Sequence, residues 1–246
     1  MLILMTSQRV AIVTGGSRGI GRAIVRRLAA DGLQVVVNYA GNRQEADAAV
    51  QEAGADNAIA VQADVADETA VKALFETAIE RFGGVDVVIH AAGRMDLAPL
   101  AEFDLATLDE QVRVNLRGTF VVSQNAVKSL RDGGALINFS SSVVGLAFPG
   151  YSVYAATKGG VEAMTLVLAR ELRGRDVTVN VVAPGPTATD LFLDGKDQET
   201  IDRAAQAPPL QRLGTPEDVA NVVAFLAGPD GHWINGQVLR SNGGVI

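Results

Sequence analysis

The 246-residue sequence contains no cysteine. Disulfides, thiolate metal sites and a cysteine nucleophile are therefore excluded. Histidine is limited to His90 and His232, too few ligands for a histidine-based metal cage, and no metal is expected. Long hydrophobic runs are missing as well. No window approaches the ~20 apolar residues that span a bilayer, so no membrane partner is expected. The opening Met1-Leu2-Ile3-Leu4-Met5 is apolar but meets Thr6-Ser7-Gln8-Arg9 too soon for a signal peptide. Positive charge is in deficit. The formal net charge is −7, whereas a nucleic-acid surface needs a basic patch, so no nucleic-acid partner is expected. A cytoplasmic location is the default expectation.

What is present is the makeup of an ordinary globular protein, 48% apolar and 20% charged. Short β-branched runs alternate with longer segments of helical period. Strands are predicted at 9–14, 34–38, 58–63, 85–90, 135–139, 177–182 and 237–240. Helices are predicted at 21–30, 43–53, 67–82, 104–130, 152–173 and 216–226. After Pro184-Gly185-Pro186 the pattern loosens as far as about Leu213. No linker or repeat interrupts the alternation. The expectation is an α/β fold, one doubly wound Rossmann-type domain over 1–246, with a seven-stranded parallel sheet and helices on both faces. The triplet Asn138-Phe139-Ser140 matches a glycosylation site but lies in a predicted buried strand and is discounted.

The first strand ends in Thr14-Gly15-Gly16-Ser17-Arg18-Gly19-Ile20-Gly21 and opens directly into a helix. Glycine there permits the tight turn and lets a pyrophosphate approach the helix N-terminus. A strand before and a helix after make this a dinucleotide-binding turn. NAD-specific sites usually carry a carboxylate at the end of the second strand. Asn38 stands there instead, and Arg18 and Arg43 can supply positive charge to a 2′-phosphate. At an effective dielectric near 20, a charge pair at ~4 Å is worth about 4 kcal/mol before desolvation. The cofactor expected is NADP(H), although Arg43 reads equally well as a solvated surface group.

On these residues the chain resembles the short-chain dehydrogenase/reductase family over nearly all of its length. Its closest look-alikes are the 3-oxoacyl-[acyl-carrier-protein] reductases. The family signature Thr-Gly-x-x-x-Gly-x-Gly fits Thr14 to Gly21 at every fixed position. The resemblance implies a cofactor site formed by Gly15, Ser17, Arg18, Gly19, Ile20, Gly21, Asn38, Asp64, Val65, Ala91, Gly93, Tyr154, Lys158, Pro184, Gly185, Thr187 and Thr189. Within it, Asp64 lies against the adenine, Ala91 and Gly93 leave room for the ribose, and Thr187 to Thr189 hold the nicotinamide.

Tyr154 and Lys158 stand four apart, on one face of a helix. A free phenol titrates near pH 10. A lysine ammonium one turn away, the helix N-terminus and an oxidised nicotinamide would each favour the phenolate. By resemblance Tyr154 transfers the proton. Counting thirteen residues back reaches Ser141, with Ser142 as the next candidate and Ser140 as a turn residue. Asn115 completes the family tetrad, holding a water that links Lys158 to solvent. It also interrupts the apolar stripe Leu108, Val112, Leu116, where a buried amide needs partners and could mend a helix distortion. One departure is His90-Ala91-Ala92-Gly93, with histidine where the family commonly has asparagine; His90 is read as structural.

The implied function is an NADPH-dependent carbonyl reductase acting on a ketone or 3-oxoacyl substrate, with tyrosine as general acid. The alternatives are an NAD-dependent alcohol dehydrogenase working oxidatively and a non-catalytic NADP(H)-sensing protein. The second would be expected to lack part of the tetrad. A lid is expected at about 190–209, presenting Leu191, Phe192 and Leu193, with Met95, Leu97 and Phe148 near the same mouth. Lys128, Arg131, Arg170 and Arg173 are the candidate docking residues for an acidic carrier protein. They are fewer than a dedicated carrier-protein reductase should show, so a small-molecule carbonyl substrate ranks first. A homotetramer is expected, paired through the helix of Tyr154 by Val161, Met164 and Leu168, with Ala155, Ala156, Gly159 and Gly160 allowing close approach.

Overall fold

The β-branched runs become seven strands: β1 Val10–Thr14, β2 Gln34–Tyr39, β3 Ala58–Gln62, β4 Val85–His90, β5 Leu130–Phe139, β6 Val177–Pro184 and β7 Val238–Ser241. The computed structural model describes residues 8–246, so the apolar opening Met1 to Met5 lies outside the described residues. The strands form one sheet in the order β3-β2-β1-β4-β5-β6-β7, and every pairing is parallel. The chain runs outward from β1 to β3, returns to β4 and runs outward again. The crevice at the carboxyl ends of β1 and β4, where the order reverses, is where such sheets bind ligands.

All five residues of β1 are fully buried, because both faces of the sheet are covered. Alternate residues serve opposite layers, as the strand's period of two requires. Ala11 and Val13 join a core with Ile24 and Leu28 of α1 (Gly19–Ala30) and Val223 and Leu226 of α10 (Pro216–Ala227). Ile12 faces Leu74 of α3 (Glu68–Phe82) and Val122 of α5 (Gly118–Ser129). Side-chain caps set several helix starts. Asn42 caps α2 (Arg43–Ala53), Asp67 caps α3 as the sequence predicts, and Thr215 and Asp218 form a capping box on α10. Each such cap stabilises its helix by about 1 kcal/mol.

The helix expected at 104–130 is not continuous. It divides into α4 (Leu105–Val112), a π-helical segment Arg113–Arg117, and α5. Asn115 sits in the widened turn, and its carbonyl accepts from Thr119 Oγ1 at 2.6 Å. A π-bulge of this kind is common at functional sites. Two further helices, α6 (Val143–Leu146) and α7 (Ser152–Glu171), follow β5. The looser segment after β6 holds α8 (Asp190–Leu193) and α9 (Gln198–Gln206).

The apolar stripe of α7 faces inward, correcting the expected contact surface. Val161 is fully buried and Leu168 packs on the core, while Leu166 and Val167 are exposed. Gly160 makes room for Leu116 of the same chain, whose Cδ1 would lie 3.0 Å from an added Cβ.

Candidate active site

Two glycines in left-handed conformation, Gly15 at φ 65° and Gly19 at φ 52°, shape the turn after β1. A Cβ on Gly21 would lie 2.1 Å from Gly15 O, and one on Gly15 would lie 2.9 Å from Ala92 Cα. The turn is therefore packed on itself and on the loop after β4, with Ser17 buried and Ile20 half-buried. Unlike α2 and α3, α1 begins without a side-chain cap. Its first-turn N–H groups are left to an anion. This cradle fits a dinucleotide diphosphate.

Arg18 is exposed and forms no ion pair among the described residues. It lines a 390 Å³ cleft with Met95, Leu97, Leu191 and Lys196. Arg43 is engaged elsewhere, 3.0 Å from Asp47 on the next turn of α2. Asn38 differs from expectation. Its side chain is buried, and Nδ2 donates to Ala63 O at 3.0 Å and Val61 O at 3.3 Å. The amide braces β2 against β3, so its side chain is committed to the sheet. Asp64 accepts from Ala66 N at 2.9 Å and from Arg113 Nη1 at 2.8 Å. Val65 is buried against Gly118, where a Cβ would lie 2.8 Å from Val65 Cγ2.

Beyond β6, Pro184 and Gly185 lead into Thr187 and Thr189. Gly185 admits Asn242, whose Cα would be 2.8 Å from an added Cβ. Thr187 Oγ1 donates to Gly185 O at 3.0 Å and Thr189 Oγ1 to Thr187 O at 3.4 Å, so both hydroxyls support their own turn.

The four proposed catalytic side chains converge at the ends of β4 and β5. Ser141 stands two residues past β5, near enough to Tyr154 in the first turn of α7 to draw the phenol's pKa down. Its two neighbours are committed elsewhere. Ser140 Oγ donates to Glu162 Oε1 at 2.6 Å, and buried Ser142 Oγ accepts from Asn242 Nδ2 at 3.0 Å. Lys158 is buried, with Nζ 5.7 Å from the Tyr154 ring centroid and donating to Phe139 O at 2.9 Å. Asn115 donates to Thr157 Oγ1 at 3.3 Å, and that hydroxyl donates to Tyr154 O at 2.8 Å. Thr157 thus joins the π segment to the catalytic turn. Its position between Tyr154 and Lys158 was the available sequence signal. Ala91 and Gly93 flank this cluster. A Cβ on Gly93 would lie 3.3 Å from Asn115 Oδ1 and 3.6 Å from Lys158 Nζ, so the glycine admits these side chains too.

The electrostatics correct the expected balance at Tyr154. Burial pushes its phenol up to about 12, against the downward pull of the Ser141 hydrogen bond. Burial also brings Lys158 down to about 8. Burial thus favours the neutral phenol over the phenolate.

The comparisons with known proteins agree with this architecture. The family described as "Enoyl-(Acyl carrier protein) reductase" matches residues 15–246. The chain is 40% identical to 3-oxoacyl-[acyl-carrier-protein] reductase FabG of Staphylococcus aureus, over 98% of this chain and 99% of that protein. It is 39% identical to the NADPH-dependent aldehyde reductase-like protein, chloroplastic, of Arabidopsis thaliana, over 97% and 94%. A short chain dehydrogenase from Burkholderia cenocepacia in complex with NADP superposes with a TM-score of 0.91, at 39% identity over 97% of this chain and 98% of that one. The chain belongs to the short-chain dehydrogenase/reductase family.

Proposed function

We propose that the protein is an NADPH-dependent carbonyl reductase in which Tyr154 is the general acid. The observation that carries this reading is the gathering of Ser141 and Tyr154, close enough for the serine to pull the phenol's pKa down, with the Lys158 ammonium buried behind the ring. When bound in the glycine cradle, the dinucleotide supplies the hydride that adds to the carbonyl carbon. Ser141 donates to the carbonyl oxygen and orients it. Tyr154 gives its phenolic proton to that oxygen as negative charge develops there. Lys158, held by Phe139 O, places its positive charge where the phenolate then forms. The raised pKa keeps the phenol protonated, so the proton it is to give is in place before the hydride adds.

NADP(H) is favoured by exposed Arg18 and by the absence of a carboxylate at Asn38. The NADP held by the Burkholderia relative and the name of the Arabidopsis relative support the same choice. The substrate reading is a modest, largely apolar ketone, aldehyde or acyl thioester, with Leu191 of the lid segment 190–209, Met95 and Leu97 lining the same cleft. Within the chain the four candidate carrier-docking residues lie at the other end of the sheet. Arg131 pairs with Asp86 at the start of β4, and Lys128, Arg170 and Arg173 flank the starts of β5 and β6. This placement favours a small carbonyl compound over a carrier-bound one. The test is a screen of NADPH oxidation against acetoacetyl thioesters, carrier-bound acetoacetate, simple ketones, aldehydes and quinones. Turnover with small carbonyls is expected, and no turnover with any of them overturns the proposal.

A further inference from the structure

Gln111 takes no part in the chemistry above, yet it is fully buried near the end of α4. It stands one helical turn before Asn115. Asp96 N donates to Gln111 Oε1 at 2.6 Å. A backbone N–H can only donate, so the amide must turn its oxygen to Asp96. Its nitrogen is thereby left without a partner among the described residues. A buried amide with an unpaired donor is disfavoured relative to an apolar side chain of the same size. What the glutamine provides in return is the acceptor for Asp96.

Asn115 makes the matching grip two residues earlier in the same loop. Arg94 N donates to Asn115 Oδ1 at 2.9 Å, and Asn115 Nδ2 donates to Arg94 O at 2.9 Å. The Arg94 side chain pairs with Asp96 at 2.6 Å and with Glu110 at 3.4 Å, closing the helix side of the loop. Residues 94 and 96 are thus tied back to the helix, while Met95 and Leu97 line the cleft together with Leu191.

We infer that Gln111 is a specificity-determining positioning residue: it clamps the loop after β4 so that Met95 and Leu97 form one wall of the substrate cleft. The inference rests on the reading of that cleft as the substrate mouth. Gln111→Met keeps the length of the side chain and removes the amide, whose one bond in the described residues is the acceptor's bond to Asp96. Amide exchange at Asp96 should then quicken by about tenfold or more, while exchange in α7 is unchanged. The kcat/KM ratio for a bulky aromatic aldehyde against a short aliphatic one should shift about tenfold, with KM for NADPH within about twofold of wild type. In a Met95→Ala background the same substitution should move the ratio by less than about twofold, because the wall it positions is already gone. An equal fall in kcat/KM for both aldehydes, full additivity with Met95→Ala, or unchanged exchange at Asp96 overturns the inference. If Gln111→Met does not fold, exchange in the wild type decides: an Asp96 amide as labile as an unbonded loop amide overturns the clamp, and a protected one supports it. A wild type that reduces no carbonyl overturns the proposed function, and the exchange measurement still decides the clamp.

Discussion

Acidification is a probe of His90, which is buried with Nδ1 2.8 Å from Thr14 Oγ1. Thr14 Oγ1 already accepts from Ala92 N at 3.2 Å. Either neutral tautomer satisfies the Nδ1–Thr14 contact, and buried Nε2 has no partner among the described residues to stabilise a second ring proton. Burial, reinforced by the Lys158 charge, brings the His90 pKa down to about 3 from its ordinary 6.5. The folded pKa lies below the unfolded one. The stabilising contribution is therefore complete above the unfolded value and is lost as pH falls toward the folded one. At about pH 4.5 the unfolded imidazole is protonated and the folded one is not. Roughly two pH units at 1.36 kcal/mol each make a loss of about 3 kcal/mol. Urea unfolding of wild type and His90→Asn at about pH 7.5 and 4.5 isolates this loss, because the carboxylates contribute to both proteins alike. The wild type should lose about 3 kcal/mol more than the variant between the two conditions. Equal losses would refute the account of His90 as a buried neutral imidazole.

Ser141→Ala should lower kcat at least about tenfold more than Ser142→Ala in steady-state assays, since Ser141 alone of the pair meets Tyr154. Arg18→Ala should raise KM for NADPH about tenfold and leave KM for NADH nearly unchanged; a wild type preferring NADH would contradict the charge argument. Light scattering at micromolar concentration should give the mass of an oligomer, consistent with exposed Phe120, Leu166 and Val167 on α5 and α7; a monomeric mass would remove that expectation.

Six of the seven strands could be read from the sequence to within two residues, because doubly covered strands such as β1 and β4 are nearly continuous in apolar residues. β5 instead begins at Leu130, five residues before the expected start, across the polar Arg131-Asp132-Gly133-Gly134 stretch. The glycine turn was equally readable, since contacts such as Gly21 on Gly15 O permit no other residue. The π segment was not. Periodicity shows an apolar stripe through Leu108, Val112 and Leu116, but the widened turn accompanies Asn115 bonds to Arg94 and Thr157, which are distant in sequence. Helical period likewise marked the α7 stripe without showing that it meets the chain's own sheet. The same limit applied to Asn38, whose partners lie on and just beyond β3. At Tyr154 the local argument stressed Lys158, four residues on. Burial, a property of the assembled fold, is the largest influence on the phenol and acts the other way.

The central claim is that Tyr154 donates the proton. Tyr154→Phe preserves the ring packed edge-on to Tyr151 and removes only the hydroxyl. Single-turnover oxidation of bound NADPH by a substrate from the screen measures the step directly. The account predicts a rate lowered roughly 10²–10⁴-fold, with NADPH affinity within about twofold of wild type. A variant that oxidises NADPH at close to the wild-type rate would contradict it.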